Sequence, residues 1–121
     1  MTKKETKHEP KQERVSENSM IQLQLIEQAL QGLMMQKQAF QFEYIETNNA
    51  LEELKKTKAD GEVYKIVGSL MFKSNKIELE KELERKRDVI NLRLKTIEKQ
   101  EEELKSKLLS HRDELLKAMK R

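Results

Sequence analysis

From Leu23 to Leu54 one series of positions runs at spacings of three and four without a slip: Leu23, Ile26, Leu30, Leu33, Lys37, Phe40, Tyr44, Thr47, Leu51 and Leu54. A helix of 3.6 residues per turn places such a series on one narrow stripe, the seam that a coiled-coil helix offers to its partner. Only Lys37 and Thr47 interrupt the apolar character, and a polar seam residue costs stability while helping to fix register. The spacing predicts a helix over residues 20–58, roughly 58 Å long at 1.5 Å per residue. Gly32 inside it costs about 1 kcal/mol relative to alanine.

A second seam follows the same rule: Leu83, Arg87, Ile90, Leu94, Ile97, Glu101, Leu104, Leu108, His111, Leu115 and Ala118. It predicts a helix over residues 75–119, capped by Ser74 or Asn75, with Glu78 three positions after Asn75 as in a capping box. Between the helices, Ala59-Asp60-Gly61 ends the first, and the period changes. Val63, Tyr64, Ile66, Val67, Leu70, Met71 and Phe72 crowd around Gly68-Ser69, a pattern of two short strands within residues 62–73. Strand parity decides which of them share a face. An odd loop pairs Ile66 with Leu70 and Tyr64 with Phe72 and gathers all four on one side, and that register is the one expected here. So short a connection leaves room only for a reversal of direction. The fold class is therefore mainly α, a long antiparallel two-helix coiled coil with a β-hairpin at the helix–helix junction.

Composition agrees with this and narrows the function. Of 121 residues, 39% are charged and only 4% aromatic, with one proline and three glycines. Such a chain suits helices that each hide one stripe and is ill suited to a compact globule with a deep catalytic pocket. The 25 basic and 22 acidic side chains are interspersed, which makes a solvated surface and excludes nucleic acid as the expected partner. No run approaches the ~18 apolar residues of a membrane span, no signal-type apolar segment precedes the helices, and there is no cysteine. A cytoplasmic location is expected, with no membrane partner. Residues 1–19 carry charge and almost nothing apolar, so a disordered tail is expected there, followed by one domain over 20–121.

Catalytic chemistry finds no purchase. Lys73-Ser74 lacks the glycines of a phosphate-binding loop, and His8 and His111 have no second histidine at ligand spacing. Carboxylates sit beside Lys and Arg on solvated faces that do not tune a pKa. No cofactor, metal or enzyme activity is expected.

Two features ask for protein partners instead. An isolated hairpin with bulky apolar side chains and two open edges is marginal in water. Val63, Tyr64, Ile66, Val67, Leu70 and Phe72 are therefore expected to form an oligomer interface, the hairpins of several chains pairing into a larger sheet or barrel. At the other end, Met20, Ile21, Leu23 and Leu25 of the first helix meet Leu108, Leu109, Leu115, Leu116 and Met119 of the second, more apolar groups than a seam requires. They are the candidate binding residues of a sticky coiled-coil tip.

The stretch Glu62-Val63-Tyr64-Lys65-Ile66-Val67-Gly68-Ser69-Leu70-Met71-Phe72-Lys73 resembles the hairpin segment of archaeal prefoldin beta subunits. Leu92-Arg93-Leu94-Lys95-Thr96-Ile97-Glu98-Lys99-Gln100-Glu101-Glu102 resembles their second helix, and Ala50-Leu51-Glu52-Glu53-Leu54 is similar as well. The resemblance spans residues 20 to about 119 and departs in the charged leader. It implies a hexamer with an alpha-type subunit, two alpha and four beta chains, whose hairpins build a double β-barrel. It further implies ATP-independent capture of non-native client proteins at the tips and their transfer to a group II chaperonin. The alternative from the heptads alone is a structural or scaffolding coiled coil that binds one fixed folded partner.

Overall fold

The computed structural model describes residues 11–120, with side chains from residue 17 onward. Helix α1 (Lys11–Lys56) leads into strands β1 (Val63–Val67) and β2 (Leu70–Ser74), and helix α2 (Lys76–Met119) follows. The burial pattern reproduces both seams. In α1 every seam position from Leu23 to Leu54 is buried or half-buried, and of the residues between them all but Asn48 are exposed. In α2 the same holds from Leu83 to Ala118, with Asn91 the one addition. Ser19, one turn before Leu23, is also buried.

The chain divides into two units. The unit of Gln36–Thr96 contains the hairpin and the adjoining parts of both helices. There Leu51, Leu54 and Ile90 are buried together with Thr47. The Thr47 hydroxyl donates to the Glu43 carbonyl at 2.7 Å, so the polar seam residue is satisfied within its own helix. The two helices run antiparallel: Lys76 reaches Lys55, Tyr44 reaches Asn91 and Arg93 lies over Phe40, partners that rise on α2 as they fall on α1. The other unit joins residues up to Met35 with those from Ile97 onward, and its buried apolar side chains are Ile26 and Ile97.

Helix α1 starts at Lys11, well before the expected position 20, so part of the predicted disordered tail is helical. Lys11-Gln12-Glu13-Arg14 are good helix formers and no breaker follows Pro10, so propensity carries the helix past the last seam residue. Residues 1–10 of that tail lie outside the described residues. At its other end α1 stops at Lys56, two residues early. The Thr57 amide bonds the Leu54 carbonyl at 3.1 Å, and its hydroxyl donates to the Glu53 carbonyl at 3.1 Å, closing the last turn. Gly61 then folds its amide onto the Lys58 carbonyl at 2.9 Å. A Cβ there would sit 2.9 Å from Thr57 Cγ2, so the turn is too tight for a side chain. Asn75 is the N-cap of α2: its Oδ1 accepts the Glu78 amide at 2.9 Å and its carbonyl the Leu79 amide at 3.0 Å.

The hairpin register corrects the expected one. Val67 pairs with Leu70, Ile66 with Met71, Lys65 with Phe72 and Tyr64 with Lys73, which leaves a two-residue turn at Gly68-Ser69 in place of an odd loop. Gly68 has φ of 61°, and no other described residue is left-handed. A positive first and negative second turn residue is the type II′ arrangement, whose twist matches that of the strands. The four residues expected on one face are thus split, with Tyr64 and Ile66 on one side and Leu70 and Phe72 on the other.

Two polar links consolidate the hairpin-bearing unit. The Lys76 ammonium donates to the Lys55 carbonyl at 3.2 Å and to the Thr57 carbonyl at 2.8 Å, so a cation from the start of α2 satisfies the open carbonyls at the end of α1. Deeper in the seam, hydrogen bonds from Asn48 and then Asn91, aided by the Arg87 charge, hold the Tyr44 phenol below its ordinary pKa, against burial and the Asp88 carboxylate.

Lys76→Met is expected to lower stability by about 1 kcal/mol in chemical denaturation, because it keeps the aliphatic stem and removes the donor. Gly32→Ala is expected to raise it by about 0.5–1 kcal/mol, since a Cβ at this exposed helical position meets nothing within 4 Å. Tyr44 makes a pH-dependent contribution. A depressed folded-state pKa adds stability as pH rises through that value, fully present above the unfolded phenol value and absent at neutral pH. The wild-type advantage over Tyr44→Phe in melting temperature is therefore expected to grow on going to alkaline pH, and a constant difference would contradict the assignment.

Candidate functional site: apolar surfaces for protein contacts

The hairpin presents two unlike faces. Val63, Lys65, Val67, Leu70, Phe72 and Ser74 share one, and Tyr64, Ile66, Met71 and Lys73 the other. The first is partly covered at its base, where Val63, Lys65 and Ser74 are half-buried. Lys65 extends from there to α2 and pairs with Glu82 at 3.2 Å. The second face is open, and the Tyr64 hydroxyl donates to its neighbour Glu62 at 2.9 Å. Of the six residues expected to form an interface, Tyr64, Ile66, Val67, Leu70 and Phe72 are exposed and Val63 is half-buried. Met71, 65% exposed and paired with Ile66, belongs with them. It is absent from the expected interface set, although it is one of the apolar residues that the sequence crowds around Gly68-Ser69. Each strand pairs on one side only, so both outer edges have open backbone groups.

The unit formed by the beginning of α1 and the end of α2 presents the second surface. Met20, Ile21, Leu25, Leu109, Leu116 and Met119 are all more than half exposed. Leu23, Leu108 and Leu115, expected among them, are half-buried seam residues whose primary work is holding the helices together. A groove of about 580 Å³ in the same unit has Leu25, Ile26, Ala29 and Leu104 along it and Ser110, His111 and Glu114 beside them. His111 Nδ1 lies 3.5 Å from Glu114 Oε2.

Further apolar residues stand outside the seams of the hairpin-bearing unit, namely Phe42 and Ile45 on α1 and Ile77, Val89 and Leu92 on α2. The sequence reading passed over them; an apolar residue between seam positions was the signal. Among the described residues there is no cluster of three or more His, Cys, Asp or Glu placed to hold a metal, and no helix is long and apolar enough to cross a membrane. The surfaces on view are chemically suited to protein contacts, apolar and without a convergent set of polar groups.

Comparison with known proteins agrees with this geometry. Residues 17–121 match the family described as prefoldin subunit. The chain is 39% identical over 103 residues to prefoldin subunit beta of Methanothrix thermoacetophila, covering 85% of this chain and 86% of that one. It is 36% identical to prefoldin subunit beta of Methanococcoides burtonii, with 85% and 88% covered. The crystal structure of the prefoldin beta subunit from Thermococcus strain KS-1 superposes with a TM-score of 0.81 at 33% identity, over 93% of this chain and 96% of that one. With two long helices flanking an antiparallel hairpin in both structures and similar sequence along nearly the whole length, the chain belongs to the prefoldin subunit family, a family of chaperones rather than enzymes.

Proposed function

We propose that this chain is the beta-type subunit of a cytoplasmic, hetero-oligomeric holdase. The hairpins assemble it with alpha-type partners, two alpha and four beta chains joining their strands into a β-barrel. Six exposed apolar side chains on a two-stranded sheet with open edges support this part of the reading. Val63, Tyr64, Ile66, Val67, Leu70 and Phe72, with Met71 added, serve assembly.

The observation that carries the chaperone activity is a group of six exposed apolar residues near the start of α1 and the end of α2: Met20, Ile21, Leu25, Leu109, Leu116 and Met119. Leu23, Leu108 and Leu115 back them from the seam. Fully burying one such side chain is worth about 1.5–3 kcal/mol, and partial burial on a non-native client gives less. Several subunits contacting one client convert weak contacts into useful affinity through effective concentration, and release needs no nucleotide because no single contact is strong. Unbranched Met20 and Met119 adapt to clients of irregular shape. Transfer follows when a group II chaperonin competes for the same apolar client segments.

Replacing Met20, Ile21, Leu25, Leu109, Leu116 and Met119 by serine is expected to leave the mass of the assembled oligomer unchanged and to reduce suppression of aggregation of a denatured model protein, read by light scattering, at least severalfold. Undiminished suppression by a correctly assembled variant would overturn capture at this surface. Selective binding of one folded partner, with none to unfolded protein, would favour a scaffold.

A further inference from the structure

On one side of the hairpin-bearing unit a groove of about 410 Å³ runs between the helices. Its α2 wall is one helical stripe, in which Glu82, Arg85, Lys86, Val89, Ile90 and Arg93 recur at spacings of three and four. Phe40 and Glu43 form the α1 wall. The floor is apolar: Ile90 is buried, Phe40 half-buried, and Val89 stands 52% exposed beside them.

Charge around this floor is uneven. Arg85, Lys86 and Arg93 are exposed, and among the described residues none of them has a carboxylate within salt-bridge distance. Arg85 Nε donates only to the Lys81 carbonyl at 3.3 Å, and the Arg93 guanidinium lies over the Phe40 ring, 5.4 Å from its centroid. The two acids at the groove are not equivalent. Glu82 is engaged by Lys65, which leaves Glu43 as the one carboxylate facing three cations. Guanidinium groups held beside an apolar floor bind carboxylates with geometric preference, and Arg85, Lys86 and Arg93, at i, i+1 and i+8, bracket Val89.

We propose that this groove docks an acidic segment of another polypeptide, one with a bulky apolar side chain between carboxylates. The apolar side chain sits on Val89 and Phe40, and the flanking carboxylates meet Arg85, Lys86 and Arg93. From Glu82 to Arg93 the stripe extends roughly 16 Å at 1.5 Å per residue, room for a short segment and not for a domain. The charge sign excludes a basic partner. The exposed apolar Val89, with the half-buried Phe40 already covered by Arg93 as the one aromatic ring along the groove, favours a peptide over a nucleic acid strand. This site goes beyond the capture of non-native clients, because it selects by charge as well as by apolarity.

The test uses the full-length protein in the oligomeric form in which it purifies and a fluorescein-labelled peptide of glutamates with two central leucines, followed by anisotropy. Three controls accompany it: the same peptide with lysine for glutamate, one with serine for leucine, and a single-stranded oligonucleotide. The glutamate–leucine peptide is expected to bind and to weaken about tenfold when salt is raised from about 50 to 500 mM, as the Debye length contracts. Arg85→Gln with Lys86→Gln is expected to weaken it about tenfold, and Val89→Ser several fold, while the helical circular dichroism stays unchanged. Equal binding of the lysine peptide, equal binding of the leucine-free peptide, tighter binding of the oligonucleotide, or indifference to the double substitution would each overturn the proposal.

Discussion

The rest of the structure depends on the narrowness of the seam. Each helix buries a single stripe against the other, at positions three and four apart, and leaves nearly everything else to solvent. Two helices that spend their apolar surface on each other have little left with which to cover a sheet. The hairpin between them is held at its base by Lys65 on Glu82 and by the Lys76 clamp on the end of α1, and beyond that base its side chains are bare. The geometry that makes the helices stable alone makes the hairpin unstable alone.

Polar residues of the hairpin-bearing unit are handled by three different devices. Thr47 satisfies itself on the turn below it. Tyr44 shares a hydrogen-bonded layer with Asn48 and Asn91, which accounts for the two half-buried asparagines outside the strict spacing. Asn75 and Lys76 divide the chain's reversal between them, one capping the amides that open α2 and the other the carbonyls that close α1. A polar group at a defined level discriminates against a slipped register, because slippage would leave it buried without its partner.

The exposed apolar residues fall into groups of different chemistry. Those on the hairpin lie on a two-stranded sheet with unsatisfied edges and suit permanent contacts. Those at the start of α1 and the end of α2 are mostly leucines and methionines, with Ile21, on solvated helices, and suit transient ones. The Phe40–Val89 groove differs from both in its rim of three cations, so its selectivity has an electrostatic component that the other surfaces lack.

Periodicity by itself determined the two helices, their seams residue by residue and the reversal between them, because side-chain direction in a helix follows from position number alone. It also picked out five of the six bare hairpin residues and the apolar excess at the start of the first helix and the end of the second. Only the tertiary structure decided the hairpin register, since one residue in the loop exchanges every face and the φ of Gly68 settles that choice. The structure likewise separated Leu23, Leu108 and Leu115, which the seam takes up, from the neighbours it leaves free. It alone brought Phe40 beside Val89 and Arg93, because a groove between two helices depends on which residues the partner helix sets opposite, and a one-dimensional pattern does not contain that pairing.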